Sequence, residues 1–289
     1  MNKQFVILLL VIVFIVGGIV LFAQQKKSEK SSPTVLTKVS FVLDYLPWSG
    51  QSGLWVAKEK GYFLDEGLDV VFNIPSDPST VLQTVASGRD DFGVNYQMNL
   101  FLARNQGIPV VSVMGIVQHT LTSILSLKES NIAQPLDLVG KKVGTTGTQE
   151  VEKFLETVLK SQKKSIKDVE LVNVGFDVVP ALIGKKVDAI IPAYSVYEAI
   201  SAENKGFPVN IIRLEQYGVP DYYEFILVTT EDKIAKNPEL VQHFVKAVKR
   251  GYEDAIANPE DAIRIMKKAN PVLGWDHGLL NIQNGLSGA

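Results

Sequence analysis

A chain of 289 residues, 46% hydrophobic and 21% charged with a formal charge of -2, has the make-up of a folded protein whose length suits two domains or one two-lobed body. That charge balance offers no basic surface, so no nucleic-acid partner is expected. The absence of cysteine excludes disulfides, thiolate metal sites, a cysteine nucleophile and a lipid-modified N-terminal cysteine.

After MNKQ, the run Phe5 to Ala23 carries no polar side chain and is long enough at helical rise to cross a hydrocarbon core of about 30 Å. The core of a cleaved signal is shorter, about 7 to 15 residues, and Leu21 stands where a small residue should precede cleavage at Ala23. Residues 1–27 therefore read as a membrane anchor or signal, with an uncleaved anchor favoured, and 28–37 (SEKSSPTVLT) as a polar tether. Lys26, Lys27 and Lys30 follow the segment while only Lys3 precedes it, which taken alone would hold the body in the cytoplasm. The fold implied below outweighs that bias and gives an extracytoplasmic location, in the periplasm or at the cell surface.

Past the tether, apolar runs alternate with helical patterns: VSFVL then GLWVAKEKG, LDVVFNI then PSTVLQTVASG, DFGVN then QMNLFLARNQG, then IPVVSVMGIV. Such alternation predicts an α/β fold with a largely parallel, buried sheet. Asp77-Pro78, Asn237-Pro238 and Asn258-Pro259 each supply a capping residue followed by proline at the first helical position, and Gly61, Gly88 and Gly107 close helices. A second series starts near Leu138. The stretches ASGRDDFGVN and LIGKKVDAIIP echo one another, as two lobes built on one plan would, though generic turn chemistry accounts for the echo equally well. HTLTSILSLK and DYYEFILVTT read as strands passing between lobes. The resulting division places 38–119 and 222–289 in lobe 1 and 120–221 in lobe 2, joined by a two-strand hinge.

Little in the sequence points to catalysis. His119, His243 and His277 share no metal-ligand spacing, and no G-x-S-x-G elbow is present. GTTGT, Gly144 to Thr148, lacks the Lys-Ser/Thr end of a P-loop. Its backbone N–H groups and the hydroxyls of Thr145, Thr146 and Thr148 could receive an anion or a carbonyl oxygen at the helix starting near Gln149; equally, Thr148 simply caps that helix.

Other polar and aromatic residues gather at predicted strand C-termini, where α/β sheets bind ligands. Asp44, Tyr45, Trp48 and Gln51 follow the first strand, Asn95, Tyr96 and Gln97 the third, and Gln118 the fourth. Large aromatics at a loop mouth, as in DYLPWSGQ, require an explanation, although any single member of this set is more often a packing or turn residue. In the second lobe Tyr194 and Glu198, four apart on an expected helix, share one face. The set suits a flat, hydrogen-bonding ligand stacked by rings and read by amides and a carboxylate. The ligand-binding candidates are Tyr45, Trp48, Gln51, Asn95, Gln97, Gln118, Thr145, Thr146, Thr148, Tyr194 and Glu198, with Tyr222 and Glu224 from the later crossing stretch.

The blocks LDYLPWSGQSGLWVAKEKGYFLDEGLDV, DFGVNYQMNLFLARNQGIPVVSV, GIVQHTLTSI, LVGKKVGTTGT and the stretch from YGVPDYYEF to NPEDAI occur in an order that resembles the substrate-binding proteins of ABC importers for thiamine pyrimidine precursors. The resemblance runs from Val39 to Ile263. It implies a type II periplasmic-binding-protein fold, two lobes closing on a formylaminopyrimidine- or hydroxymethylpyrimidine-type ligand, and delivery to permease and ATPase subunits, with no cofactor and no enzymatic activity. Tyr45 and Trp48 fall in the family's aromatic first loop, and Tyr194 and Glu198 in its second-lobe helix. Two departures bear on the ligand: Gln51 stands where these proteins usually carry His, and Pro47-Trp48 replaces a common Pro-Asn. The same fold could instead take an alkanesulfonate, nitrate or riboflavin-type ligand, with the GTTGT helix start as the anion site. The superfamily also contains a pyrimidine-synthesising enzyme with a pyridoxal phosphate lysine, a histidine and a cysteine-rich iron motif. Here Asn95 occupies the lysine position and Asn99 the histidine position, and an amide cannot form the Schiff base. Relatives continue into a further helical segment beyond NPVLGWDHGLLNIQNGLSGA, so a shortened C-terminus is expected.

Overall fold

A computed structural model describes residues 35–271. The apolar run Phe5–Ala23, most of the tether, His277 and the chain's last residues lie outside the described residues. Among those described, no helix is long and apolar enough to cross a membrane.

The first sheet forms where the alternation begins. β1 (Thr37–Val42) pairs in parallel with β2 (Leu68–Asn73) and β3 (Phe92–Asn95). Helices α1 (Ser52–Glu59) and α2 (Tyr62–Asp65) connect β1 to β2, α3 (Val81–Ala86) connects β2 to β3, and α4 (Gln97–Asn105) leads into β4 (Val110–Val117). The chain then crosses into a second sheet made of β5 (Thr122–Leu127), β6 (Lys142–Thr145), β7 (Glu170–Asn173), β8 (Ala189–Tyr194) and β9 (Val209–Arg213). Its helices are α5 (Gln149–Ser161), α6 (Val178–Ile183) and α7 (Glu198–Asn204). β10 (Phe225–Thr230) returns to the first sheet, followed by α8 (Glu231–Lys236), α9 (Pro238–Ala257) and α10 (Pro259–Ala269).

The strand orders are β2-β1-β3-β10-β4 and β7-β6-β8-β5-β9. Both sheets therefore follow one plan: second strand, first, third, incoming strand, fourth. The sequence predicts largely parallel sheets, whereas each is mixed. β10 runs antiparallel to β3 and β4, and β5 antiparallel to β8 and β9. The incoming strand arrives from the other lobe at the end where its neighbours finish, Ile226 beside Asn95 and Thr122 beside Tyr194, so it must run the other way.

The echoing stretches occupy equivalent places, each running into the third strand of its sheet. In lobe 1 the Asp91 backbone N–H donates to Ser40 O and the Asp91 carboxylate accepts from Ser40 N, both at 2.8 Å. In lobe 2 Asp188 makes the same reciprocal pair with Lys142, again at 2.8 Å. In each lobe a short acid just before the third strand thus satisfies a backbone N–H of the first strand.

Apolar clusters cover both faces of each sheet. α5 buries Val151, Phe154, Leu155, Val158 and Leu159, the spacing of one helical face. In lobe 1 the long α9 delivers Phe244 onto Phe92, ring centroids 4.0 Å apart, and onto Phe63 at 5.2 Å. α9 also crosses α1 closely: a Cβ on Gly251 would collide with the Gly53 carbonyl and Ala57, so only glycine permits this approach.

Two local expectations are corrected. Tyr194 is the last residue of β8 and Glu198 the first of α7, so they do not share a helix face; instead the Tyr194 backbone N–H donates to Glu198 Oε2 at 2.8 Å across the intervening turn. Of the Asx-Pro starts, only Asp77 caps with its side chain, accepting from Ser79 N at 2.8 Å. Asn237 and Asn258 make no side-chain cap bond, because each also terminates the preceding helix; Asn258 Nδ2 turns back to Asp254 Oδ1 at 2.8 Å.

Candidate functional site

Strand polarity fixes where the site forms. β1, β3, β6 and β8 all finish toward the two inter-lobe connections, 118–121 and 214–224, and their C-terminal residues line a cavity between the lobes. Lobe 1 contributes Asp44, Tyr45, Trp48 and Tyr96, and lobe 2 contributes Thr146, Thr148, Tyr194, Tyr197 and Glu198.

The lobe 1 wall is organised by one carboxyl. Asp44 Oδ1 accepts from Gln51 Nε2 at 2.8 Å, and Oδ2 accepts from the Tyr96 hydroxyl at 2.8 Å and the Trp48 indole at 3.3 Å. The indole folds back over its own turn because Gly50 has no Cβ to obstruct it. Trp48 is 3% exposed, with ring centroids 5.4 Å from Tyr194, 5.8 Å from Tyr197 and 5.6 Å from Phe225. The loop aromatic is thus a core residue as well as a wall. Tyr45 reaches across, donating to Phe176 O at 2.6 Å and meeting its ring edge-on at 4.7 Å.

On the lobe 2 side the Thr146 and Thr148 hydroxyls bond each other at 3.1 Å, and Thr148 makes no side-chain cap bond at the start of α5. Glu224, just before β10, is 2% exposed and accepts five hydrogen bonds: from Leu121 N, Thr122 N and Thr122 Oγ1 at 2.8 to 2.9 Å, and from the Tyr222 and Tyr194 hydroxyls at 3.1 and 3.2 Å. One carboxyl therefore ties both inter-lobe connections to a wall tyrosine.

Burial dominates the electrostatics. It pushes Asp44 up to about 6 and Glu198 up to about 7 against the opposing hydrogen bonds, and raises Glu150 to about 7 and Glu224 as well. No Lys, Arg or His lines this cavity. Its volume is about 30 Å³, room for about two waters by the usual measure and well below the roughly 300 Å³ at which small-molecule pockets begin. A heterocycle enters only if the rings of the two lobes part.

Tyr45, Trp48, Thr146, Thr148, Tyr194 and Glu198 are thus brought together. Gln51 lies behind the wall, fully buried, with its Oε1 unpartnered. Gln97 Oε1 accepts from Tyr223 N at 2.8 Å, Gln118 is exposed on the first connection, and Thr145 holds the Gly147 N–H at 3.3 Å. Tyr222 and Glu224 belong to the second connection. Asn95 lines a separate, neighbouring cavity. Asp44, Tyr96 and Tyr197 line the site without being among the sequence-based ligand candidates. Asp44 and Tyr96 did stand in the strand-end cluster, whereas only adjacency to Glu198 marks Tyr197. Among the described residues no group of three or more His, Cys, Asp or Glu is arranged to hold a metal ion.

Residues 48–262 match the family described as NMT1/THI5 like. The chain is 32% identical over 236 residues to the formylaminopyrimidine-binding protein of Halalkalibacterium halodurans, covering 82% of this chain and 72% of the relative. It is 29% identical over 248 residues to the 4-amino-5-hydroxymethyl-2-methylpyrimidine phosphate synthase of Aspergillus parasiticus, covering 82% and 72%. Among solved structures, the alkanesulfonate-binding protein SsuA from Xanthomonas axonopodis pv. citri bound to MOPS superposes with a TM-score of 0.69 at 14% identity, covering 87% of this chain and 83% of that one. This last likeness carries the two-lobed α/β fold of a periplasmic binding protein and nothing of the ligand.

Proposed function

The chain belongs to the NMT1/THI5-like family, and on that premise we propose that it is an extracytoplasmic solute-binding protein that closes on a thiamine pyrimidine precursor and presents it to an ABC importer. The carrying observation is the composition of the inter-lobe cavity: five aromatic side chains from both lobes, two buried carboxyls, and no cationic side chain. Rings separated by a lobe opening would accept a flat heterocycle between them. Glu198 would pair with an amine-bearing edge, and the Thr146 and Thr148 hydroxyls would meet the remaining polar atoms. Closure would then pack rings of both lobes against the ligand, and ligand contacts made with both lobes shift the population toward the closed form that the permease would recognise. Residues 118–121 and 214–224 serve as the hinge in this reading, and the apolar run Phe5–Ala23 as the tether to the membrane.

The same cavity argues against an anionic cargo. A sulfonate or nitrate about 4 Å from one ionised carboxylate would meet about 4 kcal/mol of repulsion at an effective dielectric near 20, with no cation in the lining to offset it. A synthase-type reaction is disfavoured by Asn95, whose amide cannot carry a Schiff base in place of the lysine, by Asn99 in place of the histidine, and by the lack of cysteine.

Thermal shift and calorimetry on the full chain with formylaminopyrimidine, the hydroxymethyl aminopyrimidine, thiamine and an alkanesulfonate test this reading. Stabilisation by an aminopyrimidine and none by the sulfonate is expected. The reverse response would replace the cargo while leaving the fold untouched, and chemical turnover of a bound pyrimidine would end the binding-protein reading.

A further inference from the structure

Beside the aromatic cavity lies a larger one, about 240 Å³ against about 30 Å³, between α3 and α4 of lobe 1 and the start of α5 in lobe 2. Its polar lining is mostly amide: Gln83, Asn95, Asn99, Gln106 and Gln149, with the Ser79 and Thr148 hydroxyls. Thr148 lines both cavities, and the consecutive residues Asn95 and Tyr96 face one each. The two spaces are therefore neighbours across a single side chain. Building on the cargo reading above, we propose that this amide-lined cavity is a second compartment of the same site, taking an uncharged hydrogen-bonding substituent carried by the ring.

The chemistry of the lining selects that class. Each amide offers two N–H donors and a carbonyl acceptor, so the cavity can satisfy formamide, hydroxyl or similar groups in several orientations. Asn95 already uses Oδ1 to accept from Tyr96 N at 2.8 Å, which leaves its NH₂ as the remaining donor. No charged residue lines the space, so neither a phosphate nor an ammonium finds a partner in it. Glu150, 3% exposed and interacting with Thr148 and Asn99, sits behind this wall with Oε2 unpartnered, and a buried acid there further opposes an anionic substituent. The Gln106 side chain of α4 donates to Gln149 Oε1 of α5 at 3.0 Å, so the rim of this compartment is bridged between the lobes and closes with them.

The test is calorimetric titration of the full-length chain, Asn99→Leu and Gln83→Leu with three pyrimidines: formylaminopyrimidine, the hydroxymethyl aminopyrimidine, and a dimethyl aminopyrimidine lacking any polar substituent. Each substitution is expected to weaken formylaminopyrimidine by about tenfold, the hydroxymethyl compound less, and the dimethyl compound by under about threefold. Equal losses for all three, or none, would overturn the compartment while leaving the cargo reading in place. Failure of the unsubstituted chain to bind any of the three would overturn the cargo reading and this inference with it. Gln83 is exposed, so Gln83→Leu decides the matter even if Asn99→Leu does not fold.

Discussion

The two lobes use one strand plan and put opposite chemistry at equivalent strand ends. After its first strand lobe 1 carries DYLPW, a carboxyl and two rings, while lobe 2 carries TGT, two hydroxyls around a glycine. After its third strand lobe 1 has Asn95 and Tyr96 and lobe 2 has Tyr194, Tyr197 and Glu198. The anchoring differs too. Asp44 gathers the lobe 1 wall within its own lobe, whereas Tyr194 is fastened through Glu224 to the connections between lobes. The lesson is that the shared backbone decides where a ligand can sit, and the residues just past the strands decide which one.

The sharpest way to break the parallel is at α9, which has no counterpart in lobe 2. Gly251→Val drives a side chain into the Gly53 carbonyl and Ala57, and should destabilise the chain by about 3 kcal/mol in denaturant unfolding, with loss concentrated in lobe 1 by hydrogen exchange. The matched acids sharpen it. Asp188→Ala removes one backbone clamp and should cost about 1 kcal/mol, but Asp91→Ala also frees Lys233, which pairs with the same carboxylate, and should cost about 2 kcal/mol. Equal costs would show that the Lys233 pair adds nothing.

At the site, Trp48→Ala should weaken aminopyrimidine binding by about 1 kcal/mol or more. Unchanged affinity by calorimetry would remove the indole from the binding wall.

The last expected effect is of pH. Burial raises Glu198 and Glu150 to about 7 and Asp44 to about 6, so the folded chain keeps protons that the unfolded chain has released. Their contribution to stability is full below the ordinary carboxylate range and is lost as pH rises toward about 7. The ligand-free melting temperature should fall from about pH 5 to about pH 8, and Glu198→Gln should flatten the slope. A melting temperature that rises across this interval would contradict the direction.

Much of this was legible in the residues. Alternating apolar runs placed the strands and glycines closed the helices, while the Gly-basic-Asp echo, equally open to generic turn chemistry, turns out to lead into the third strand of each sheet. The site was half legible. Tyr45, Trp48, Thr148 and Glu198 stood at strand ends and do meet, but Gln51, chosen for the same reason, and Glu224, taken from the crossing stretch, turn inward to serve Asp44 and the crossing segments.

The sequence by itself determined the element order, the apolar faces and the strand ends at which polar and aromatic residues gather, because period and turn chemistry act over a few neighbouring positions. Only the tertiary structure decided the antiparallel entry of β5 and β10, the burial of Trp48 against a tyrosine of the other lobe, and which of the gathered residues face the cavity. Those outcomes depend on contacts between segments far apart in the chain, where shape and desolvation, not local pattern, choose among side chains of the same type.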